Sequence, residues 1–425
     1  MDAYMSPVER HRQGKILRKI TPRSSHGGWV AAADRADAVD LITSQDRDRL
    51  QSLLPIRYGR MAASPLAFYL AGAKIMSADL ANSPVTGLNV QLCGEAHLMN
   101  FGGFAESGDD PRFDINDFDE TLPGPWEWDV KRLATSFAVA GRHNEFGEAE
   151  VRLATHSVVA AYRRAMAEFS GMATLDIRES YLPNERIIEA LSTKDDDPTV
   201  LIALRDVPET GDTDALRDEV ETSFSVYRET LRDDRSRLLR QFRPIGIAIK
   251  IAGVASVGTR LFVMLLQGRD ENDALLLEIR EATGSVLEDH LPKSTYLNPG
   301  RRVVEGQRLM QASDDVFLGW APTNSDRQYY WRRSRDVTAF PDVAAMAPHR
   351  MRSYADICGW TLARAHARTG DRIAISGYLG SSDVFDHAVT EFAAAYADQN
   401  ERDHAAFVRA IESGRIDGPD DRPHS

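Results

Sequence analysis

The chain contains only two cysteines, Cys93 and Cys358, among its 425 residues. They lie far apart in apolar surroundings, so we expect neither a disulfide framework nor a Cys-x-x-Cys metal site, and a reducing cytoplasm is the predicted location. No apolar run approaches the roughly 18 residues that a membrane-spanning helix needs. Residues 1–15 also lack an apolar core, so no signal peptide is expected.

An excess of positive charge is also missing. With 51 basic and 64 acidic residues the formal net charge is −13, which disfavours wholesale binding to a nucleic-acid backbone. The composition, 43% hydrophobic and 27% charged, is that of an ordinary globular protein. The expected partner is therefore an unidentified small molecule or protein, with no nucleic acid and no membrane. The oligomeric state stays open.

Changes in composition divide the chain into four predicted segments. Residues 1–50 form an arm that packs on the body, a helix is predicted from Asp37 to Leu54, and residues 51–242 are mostly helical. Residues 243–337 are rich in strands, and residues 338–425 complete the helical part. Three strands are predicted in the third segment: Ile245–Ile251, Arg260–Leu266 and Ala274–Arg280. The predicted fold class is α+β, with a small antiparallel lobe and a large helical lobe.

The stretch Val90–Asp129 concentrates polar residues of the kinds used in catalysis. An apolar run leads into Gly94, and Glu95, His97 and Asn100 follow within six positions. Glu95 is a candidate general base, His97 a candidate catalytic imidazole and Asn100 a candidate metal ligand. A polar loop whose side chains only cap turns is an equally good interpretation of these residues alone.

A second acidic run follows within the same stretch. Its polar members alternate with Phe113, Ile115 and Phe118, and they are Asp114, Asn116, Asp117, Asp119 and Glu120. Clustered carboxylates repel one another unless a cation compensates them, and Mg²⁺ prefers such oxygen ligands. We therefore predict a strand that carries metal ligands, with Asp117 and Asp119 joining Asn100. The alternative is a solvated acidic turn.

A loop of small residues between the first two predicted strands is a candidate phosphate-binding element. It contains Gly253, Ser256, Gly258 and Thr259, whose size would let backbone N–H groups approach a phosphate. The loop lacks the Gly-Lys-Ser/Thr ending of a P-loop and does not open a helix. A tight hairpin is the alternative.

A cation at the end of the third predicted strand has a potential partner on the following helix. Arg280 and Glu305 could form the strand–helix ion pair with which protein kinases hold nucleotide phosphates. A surface pair of little energy is the alternative. Asp129 is most simply a helix N-cap, and His366, on a helix near the C-terminus, is expected to be structural.

Together these elements resemble kinases of the aminoglycoside and choline phosphotransferase type, in a circularly permuted order. The small-lobe elements lie at 243–337, and the helix segment Leu362–His366 resembles the family's LA-x-LH pattern. The elements that resemble the catalytic loop and metal strand come earlier in the chain, at 94–129. The resemblance implies a two-lobed protein-kinase-like fold with ATP and Mg²⁺ as cofactors. It also implies that Asp129 anchors the catalytic loop.

A more extensive resemblance is to a bacterial family, domain of unknown function 2252, over about residues 8–412. It is carried by PIRYGRM (55–61), CGEAHLMNFGGF (93–104), FDINDFDETLPGPWEWDVKRLA (113–134), GVASVGTR (253–260), VVEGQRLMQAS (303–313) and AYADQNERD (395–403). That family usually has Asp where this chain has Glu95, Lys at Arg280 and Arg at Leu70. Because a misplacement of about 1 Å can cost roughly a hundredfold in rate, these departures predict a slow or altered enzyme.

The predicted activity is therefore an ATP- and Mg²⁺-dependent phosphotransfer to an unknown acceptor. Asn100 and Asp117 would hold the metal, Glu95 would orient or deprotonate the acceptor, and Arg280, held by Glu305, would contact the phosphates. The first alternative is a catalytically inactive protein that binds a nucleotide or a partner. The second is a metal-dependent phosphohydrolase that uses the Asp114–Asp119 cluster.

Overall fold

The computed structural model describes residues 5–104, 112–183, 186–187, 190, 213–250, 254–312, 315–322, 327–334, 337–339 and 342–418. The α-helices within these ranges are α1 (Pro7–Ile20), α2 (Ala38–Thr43), α3 (Leu54–Ala62), α4 (Pro65–Leu70), α5 (Ala73–Leu80), α6 (Trp126–His143), α7 (Glu148–Gly171), α8 (Thr174–Glu179), α9 (Thr213–Thr230), α10 (Asp233–Leu239), α11 (Pro299–Met310), α12 (Pro348–Thr369), α13 (Arg372–Leu379) and α14 (Val384–Glu412). Short 3-10 turns occur at Arg23–His26, Gln51–Leu53, Leu98–Asn100 and Val286–Asp289. None of the described helices combines the length and the apolar character needed to cross a bilayer.

The described strands form three small antiparallel sheets, which confirms the α+β class. They are β1 (Asn89–Leu92), β2 (Phe101–Phe104), β3 (Arg112–Ile115), β4 (Leu122–Pro125), β5 (Arg243–Ile249), β6 (Leu261–Gln267), β7 (Ala274–Ala282), β8 (Gly319–Pro322), β9 (Gln328–Arg333) and β10 (Val337–Ala339). Strands β1 and β4 pair with each other, and β10, β2 and β3 pair in that order. The largest of these sheets has the order β5-β6-β7-β9-β8. Its first three strands lie within two residues of the three predicted strands.

The two largest hydrophobic cores of the described residues include direct neighbours of the residues singled out by the sequence, Cys93 in one core and Ile279 in the other. The larger combines helices α6 and α7 with α12–α14, so that segments far apart in the chain share one core. Trp126 stacks on Tyr162 inside it, with ring centroids 5.6 Å apart. The smaller core packs α9 against the five-stranded sheet, where Tyr227 stacks on Trp331 at 4.6 Å. Such aromatic pairs add about 0.5–1.5 kcal/mol beyond the burial of their area.

The N-terminal residues pack on the C-terminal helices. Helix α1 lies against α13, and a side chain at Gly14 would collide with the backbone carbonyl of Ala374. Arg10 forms a two-pronged hydrogen bond with Asp371, with distances of 2.9 and 2.7 Å. The close helix contact at Gly14 and this ion pair both join α1 to the C-terminal part of the chain.

One predicted helix is largely wrong. The pattern from Asp37 to Leu54 favours a continuous helix, but α2 ends at Thr43 and the chain then turns. The turn buries Asp46, which accepts hydrogen bonds from the side chains of Arg57 and Tyr58 on α3. A buried carboxylate needs such partners, so this tertiary contact overrides the local helical preference.

Candidate functional site

The loop that contains Glu95 is fixed through its backbone. Strand β1 ends at Leu92, and Gly94 follows with a φ of +80°, which favours glycine. A side chain at position 94 would also collide with the carbonyl of Glu120. The carboxylate of Asp129 accepts hydrogen bonds from the backbone N–H groups of Cys93 and Gly94, at 2.8 and 3.2 Å.

The prediction that Asp129 is the N-cap of its helix is wrong. Helix α6 begins three residues earlier, at Trp126, so Asp129 lies within the first turn and its carboxylate is free to reach the loop. His366 of α12 contacts the same carboxylate, Nε2 to Oδ2 at 3.2 Å, and its Nδ1 pairs with the hydroxyl of Tyr162 at 2.9 Å. All three side chains are buried, so their role is structural support of the loop.

Asn100 joins the Glu95 loop to the acidic segment. Its Nδ2 donates to the backbone carbonyls of Glu95 and Asp117, at 3.0 and 2.9 Å. Its Oδ1 accepts from the backbone N–H of Asp117 at 2.6 Å. With Asn100 only 2% exposed, these three bonds hold the two segments in a fixed relation.

The predicted strand of alternating residues is shorter than expected. Strand β3 ends at Ile115, so Asp117 and Asp119 lie in the loop that follows. Asp114 has a different environment from these two residues. Its side chain is buried, and its carboxylate accepts hydrogen bonds from Arg364 at 2.6 Å and from the N–H of Ala312 at 2.8 Å. Asp114 is therefore a structural residue, and only the later carboxylates are accessible.

Arg280 bridges the two accessible carboxylates. Its Nη1 donates to Asp117 Oδ2 at 2.8 Å, and its Nη2 lies 3.3 Å from Asp119 Oδ2. The hydroxyl of Tyr330, opposite Arg280 on β9, donates to Asp119 Oδ1 at 2.6 Å. Burial alone would raise the pKa of Asp117, but Arg280 and Arg332 outweigh it and lower that pKa. Burial and the neighbouring Asp117 raise the pKa of Asp119.

More charged side chains of the sheet extend this cluster. Glu278 on β7 accepts from Lys250 at 2.5 Å and from Arg332 Nε at 2.9 Å. Arg332 also donates to the backbone carbonyl of Asn116 at 2.8 Å. Two cations of the sheet, Arg280 and Arg332, therefore contact the acidic segment, and Lys250 joins them through Glu278. From α11, Arg302 donates to the carbonyls of Asp119 and Thr121, both at 2.7 Å.

The side chains of Glu95 and His97 lie in a poorly solvated environment. Burial raises the pKa of Glu95 to about 8, and Glu120, Asp117 and Asp119 add to the rise, although Arg132 opposes it. Burial, together with Arg132, lowers the pKa of His97 to about 3. His97 is therefore neutral at pH 7, and its buried Nδ1 has no hydrogen-bond partner.

The glycine-rich loop is held by the N-terminal part of the chain. Arg49 donates to the carbonyls of Ala255 and Val257, at 2.9 and 2.7 Å, and Leu50 N–H donates to the carbonyl of Gly258 at 2.8 Å. Gly258 has a φ of +90°. Thr259 turns back to bond the carbonyl of Ser256, at 3.1 Å from N–H and 2.7 Å from the hydroxyl. Gly253 lies outside the described residues.

Arg49 connects this loop electrostatically to the Glu95 loop. Burial lowers the pKa of Arg49, and the carboxylates of Asp46, Glu120 and Glu95 partly offset that effect. The interaction of two charges weakens as their separation grows, so these carboxylates are neighbours of Arg49. Arg49 therefore lies between the loop of Ser256, Gly258 and Thr259, to which it is hydrogen-bonded, and the loop of Glu95.

The expected pairing of Arg280 with Glu305 is wrong. Glu305 pairs instead with Arg308, one turn further along α11, at 3.2 Å. Arg280 is already neutralised by Asp117 and Asp119, so it needs no third carboxylate. In the described parts of the chain, the helix contributes Arg302 to the cluster in place of Glu305.

The structure thus brings together most of the predicted site residues. Glu95, His97, Asn100, Asp117, Asp119 and Arg280 form one cluster, which the residues of the glycine-rich loop approach through Arg49. Sequence reasoning missed Arg49, Lys250, Glu278, Arg302 and Arg332. Lys250, Glu278 and Arg332 lie in or beside apolar strands, and a charge in such a strand is the signal that could have revealed them. A separate cavity of about 280 Å³ lies elsewhere, beside Trp29 and Lys131.

The fold and cluster define an α+β protein whose accessible carboxylates lie between a helical core and an antiparallel sheet. The chain belongs to the bacterial family described as "Uncharacterized protein conserved in bacteria (DUF2252)", whose model matches residues 49–210 and 184–410. The search of curated proteins gave no match. The search of solved structures gave none either.

Proposed function

We propose that this protein binds ATP with Mg²⁺ and transfers the terminal phosphoryl group to a small-molecule or protein acceptor. The observation that carries the proposal is the position of Asn100, bonded to the backbone of both Glu95 and Asp117. Protein kinases place a catalytic carboxylate and an asparagine five positions apart, in H-R-D-x-x-x-x-N. Glu95 and Asn100 have the same spacing, and Asp117-Phe118 resembles the start of the kinase Asp-Phe-Gly motif.

The proposed fold is a circularly permuted protein-kinase-like fold. Helix α12, from the C-terminal part of the chain, packs along α7 and reaches the Glu95 loop through His366 and Asp129. The five-stranded sheet contributes Arg280 from the opposite side. These contacts support the joining of the two chain ends into one helical lobe below a small antiparallel lobe.

The donor set fits Mg²⁺. Asn100 Oδ1 and the carboxylates of Asp117 and Asp119 are hard oxygen donors, and the two carboxyl side chains are 27% and 33% exposed. A metal held by Asn100 and Asp117 would neutralise charge on the transferred phosphoryl group. Asp119 would support the same ion.

The remaining side chains would bind and orient the reactants. Arg280 would exchange its bond to Asp117 for a phosphate oxygen, as a planar cation suited to phosphate can do. The backbone N–H groups around Ser256–Thr259 would cover the phosphates. Glu95 would accept the proton of the acceptor hydroxyl, with His97 beside it in the neutral form.

A second candidate is nucleotide binding without turnover. Two observations favour it. The pKa of Glu95 is raised to about 8, so at neutral pH Glu95 is ionised, and able to act as a base, in only a minority of the molecules. Arg280 also occupies the carboxylates that the metal requires. Phosphate-ester hydrolysis by the whole Asp114–Asp119 cluster is disfavoured, because Asp114 is buried against Arg364.

Two buried free thiols, Cys93 and Cys358, support a cytoplasmic location.

The proposal is tested by thermal shift with ATP, with Mg²⁺ and with both, on wild type and Asp117→Asn. A ligand concentration of a hundred times Kd adds about 2.7 kcal/mol to the free energy of unfolding. We therefore expect a rise in melting temperature that needs both ATP and Mg²⁺ and is lost in the variant. No shift in wild type at millimolar ATP would contradict the proposal. Binding that is never followed by ADP release, even in the double variant Glu95→Asp, Arg280→Lys, would establish the second candidate.

A further inference from the structure

A group of metal-ligating side chains lies outside the site described above. His156 on α7, Asp383 at the start of α14 and His387 one turn into α14 offer one ligand atom each, all within 4.8 Å of one another. The two imidazole rings lie with centroids 4.9 Å apart. His387 Nε2 and Asp383 Oδ2 are 3.2 Å apart, four positions apart on the helix.

The hydrogen bonding of this group is incomplete. His156 is half-buried, and its Nε2 is buried without a hydrogen-bond partner. Asp383 and His387 are more than half exposed, 58% each, so their side chains can turn toward a common point. A buried ring nitrogen with nothing to bond is costly, and a cation held by all three side chains would remove that cost.

We propose that His156, Asp383 and His387 form a binding site for a borderline divalent ion of the Zn²⁺ type, which joins the start of α14 to α7. Two imidazoles and one carboxylate form the donor set of three-ligand zinc sites, with water completing the tetrahedron. Imidazole suits Zn²⁺, whereas Mg²⁺ and Ca²⁺ prefer oxygen ligands alone. The site is independent of the proposed phosphotransfer.

The geometry requires only side-chain movement. Zinc–nitrogen bonds of about 2.0–2.1 Å place tetrahedral ligand atoms roughly 3.3 Å apart. The observed separations are at most 4.8 Å, so rotation of the two exposed side chains is sufficient to close them around an ion.

The local charge is also compatible with a cation. The N-terminal end of α14 disfavours positive charge, but Asp383 supplies a carboxylate there. Arg163, the cation nearby on α7, is already held by Asp386 with contacts of 2.8–3.0 Å. Its charge is therefore compensated.

The test is a titration of full-length, chelator-stripped protein with Co²⁺, read by its visible absorption, followed by displacement with Zn²⁺. We expect one equivalent to bind to wild type and to Asp117→Asn, which removes a carboxylate of the other site. His387→Ala and Asp383→Asn should weaken binding by at least the roughly 10- to 100-fold that loss of a supporting group costs. Both residues are exposed, so these variants should fold normally.

A matched control replaces a histidine outside the group. His349→Ala, on an exposed position of α12, should leave the Co²⁺ spectrum and the stoichiometry unchanged. The proposal is overturned if stripped wild type binds no Co²⁺ or Zn²⁺ at micromolar concentration. It is equally overturned if His387→Ala and Asp383→Asn bind the ion as wild type does.

Discussion

Two buried glutamates, one beside each core, have pKa values shifted in opposite directions. Glu127 on α6 is fully buried, and its Oε1 accepts from the N–H of Thr86 at 2.7 Å, while its Oε2 has no partner. Burial raises its pKa to about 7. Glu278 on β7 is equally enclosed, but Arg332 and Lys250 outweigh burial and lower its pKa well below the usual range.

Polar groups of the candidate site are also held in two ways. The helical-side residues Asn100 and Asp129 bond to backbone groups of the neighbouring loops. On the sheet side, charged side chains bond to one another, as Arg280 does with Asp117. The Asp117 and Asp119 side chains are 27% and 33% exposed, so water or a ligand can replace Arg280 at these carboxylates. Asn100 and Asp129 are buried, and their backbone bonds cannot be replaced in this way. The helical side is therefore the fixed part of the site and the sheet side the exchangeable part.

The largest expected effect is that of Asp129→Ala on the helical side. It leaves the buried N–H groups of Cys93 and Gly94 without acceptors, at about 1–3 kcal/mol each. We expect a loss of roughly 3–5 kcal/mol in the free energy of unfolding, measured by urea denaturation. Asp129→Asn keeps one acceptor oxygen and should lose clearly less. Equal stability of Asp129→Ala and wild type would refute the fixed role of the helical side.

On the sheet side, Glu278→Gln should cost about 3 kcal/mol at pH 7, since it leaves Lys250 and Arg332 without their shared carboxylate. The folded pKa is lowered, so the stabilisation is fully present above the unfolded value of 4.5 and is lost as the pH falls toward the folded pKa. The difference from wild type should therefore shrink in acid. Urea denaturation at a series of pH values measures this, and a difference that grows in acid contradicts it.

Glu127→Gln should have the opposite pH dependence. The folded pKa of Glu127 is raised from 4.5 to about 7, so wild type loses stability as the pH rises from 4.5 through 7. Gln cannot ionise, so relative to wild type the variant should gain about 2 kcal/mol between pH 4.5 and pH 8. The ionised Glu127 partly stabilises Lys131, which keeps the gain below the full shift. A constant difference across this pH series would contradict the comparison.

The smallest expected effect on stability is that of Arg280→Gln, about 1 kcal/mol, because its partners are partly exposed. Its effect on ligand binding should be larger, and opposite in sign for Mg²⁺ and for ATP. Freed carboxylates should increase the thermal shift produced by Mg²⁺ alone, while loss of the phosphate cation should reduce the additional shift produced by ATP. An unchanged response to both ligands would argue that Arg280 is only a structural residue. Arg308→Gln, which removes the partner of Glu305, is the matched control.

A feature could be predicted from the sequence when the residues that form it lie close together in the chain. The three strands β5–β7 depend on local periodicity, and the five-residue spacing of Glu95 and Asn100 lies within one loop, so both were accessible. Arg280 and Asp117 lie 163 positions apart, and no local pattern indicates that they pair. The same limit explains the wrong Arg280–Glu305 pair and the shortened helix after Asp37, where Asp46 is drawn to Arg57.

A crystal structure with Mn²⁺ and a non-hydrolysable ATP analogue, with the metal located by anomalous scattering, would test whether the acidic cluster binds a metal–nucleotide complex. We expect a manganese peak between Asn100 Oδ1 and the carboxylate of Asp117, with Arg280 moved from Asp117 to a phosphate oxygen. A nucleotide bound elsewhere, or a cluster in which Arg280 still holds both carboxylates at saturating ligand, would contradict it.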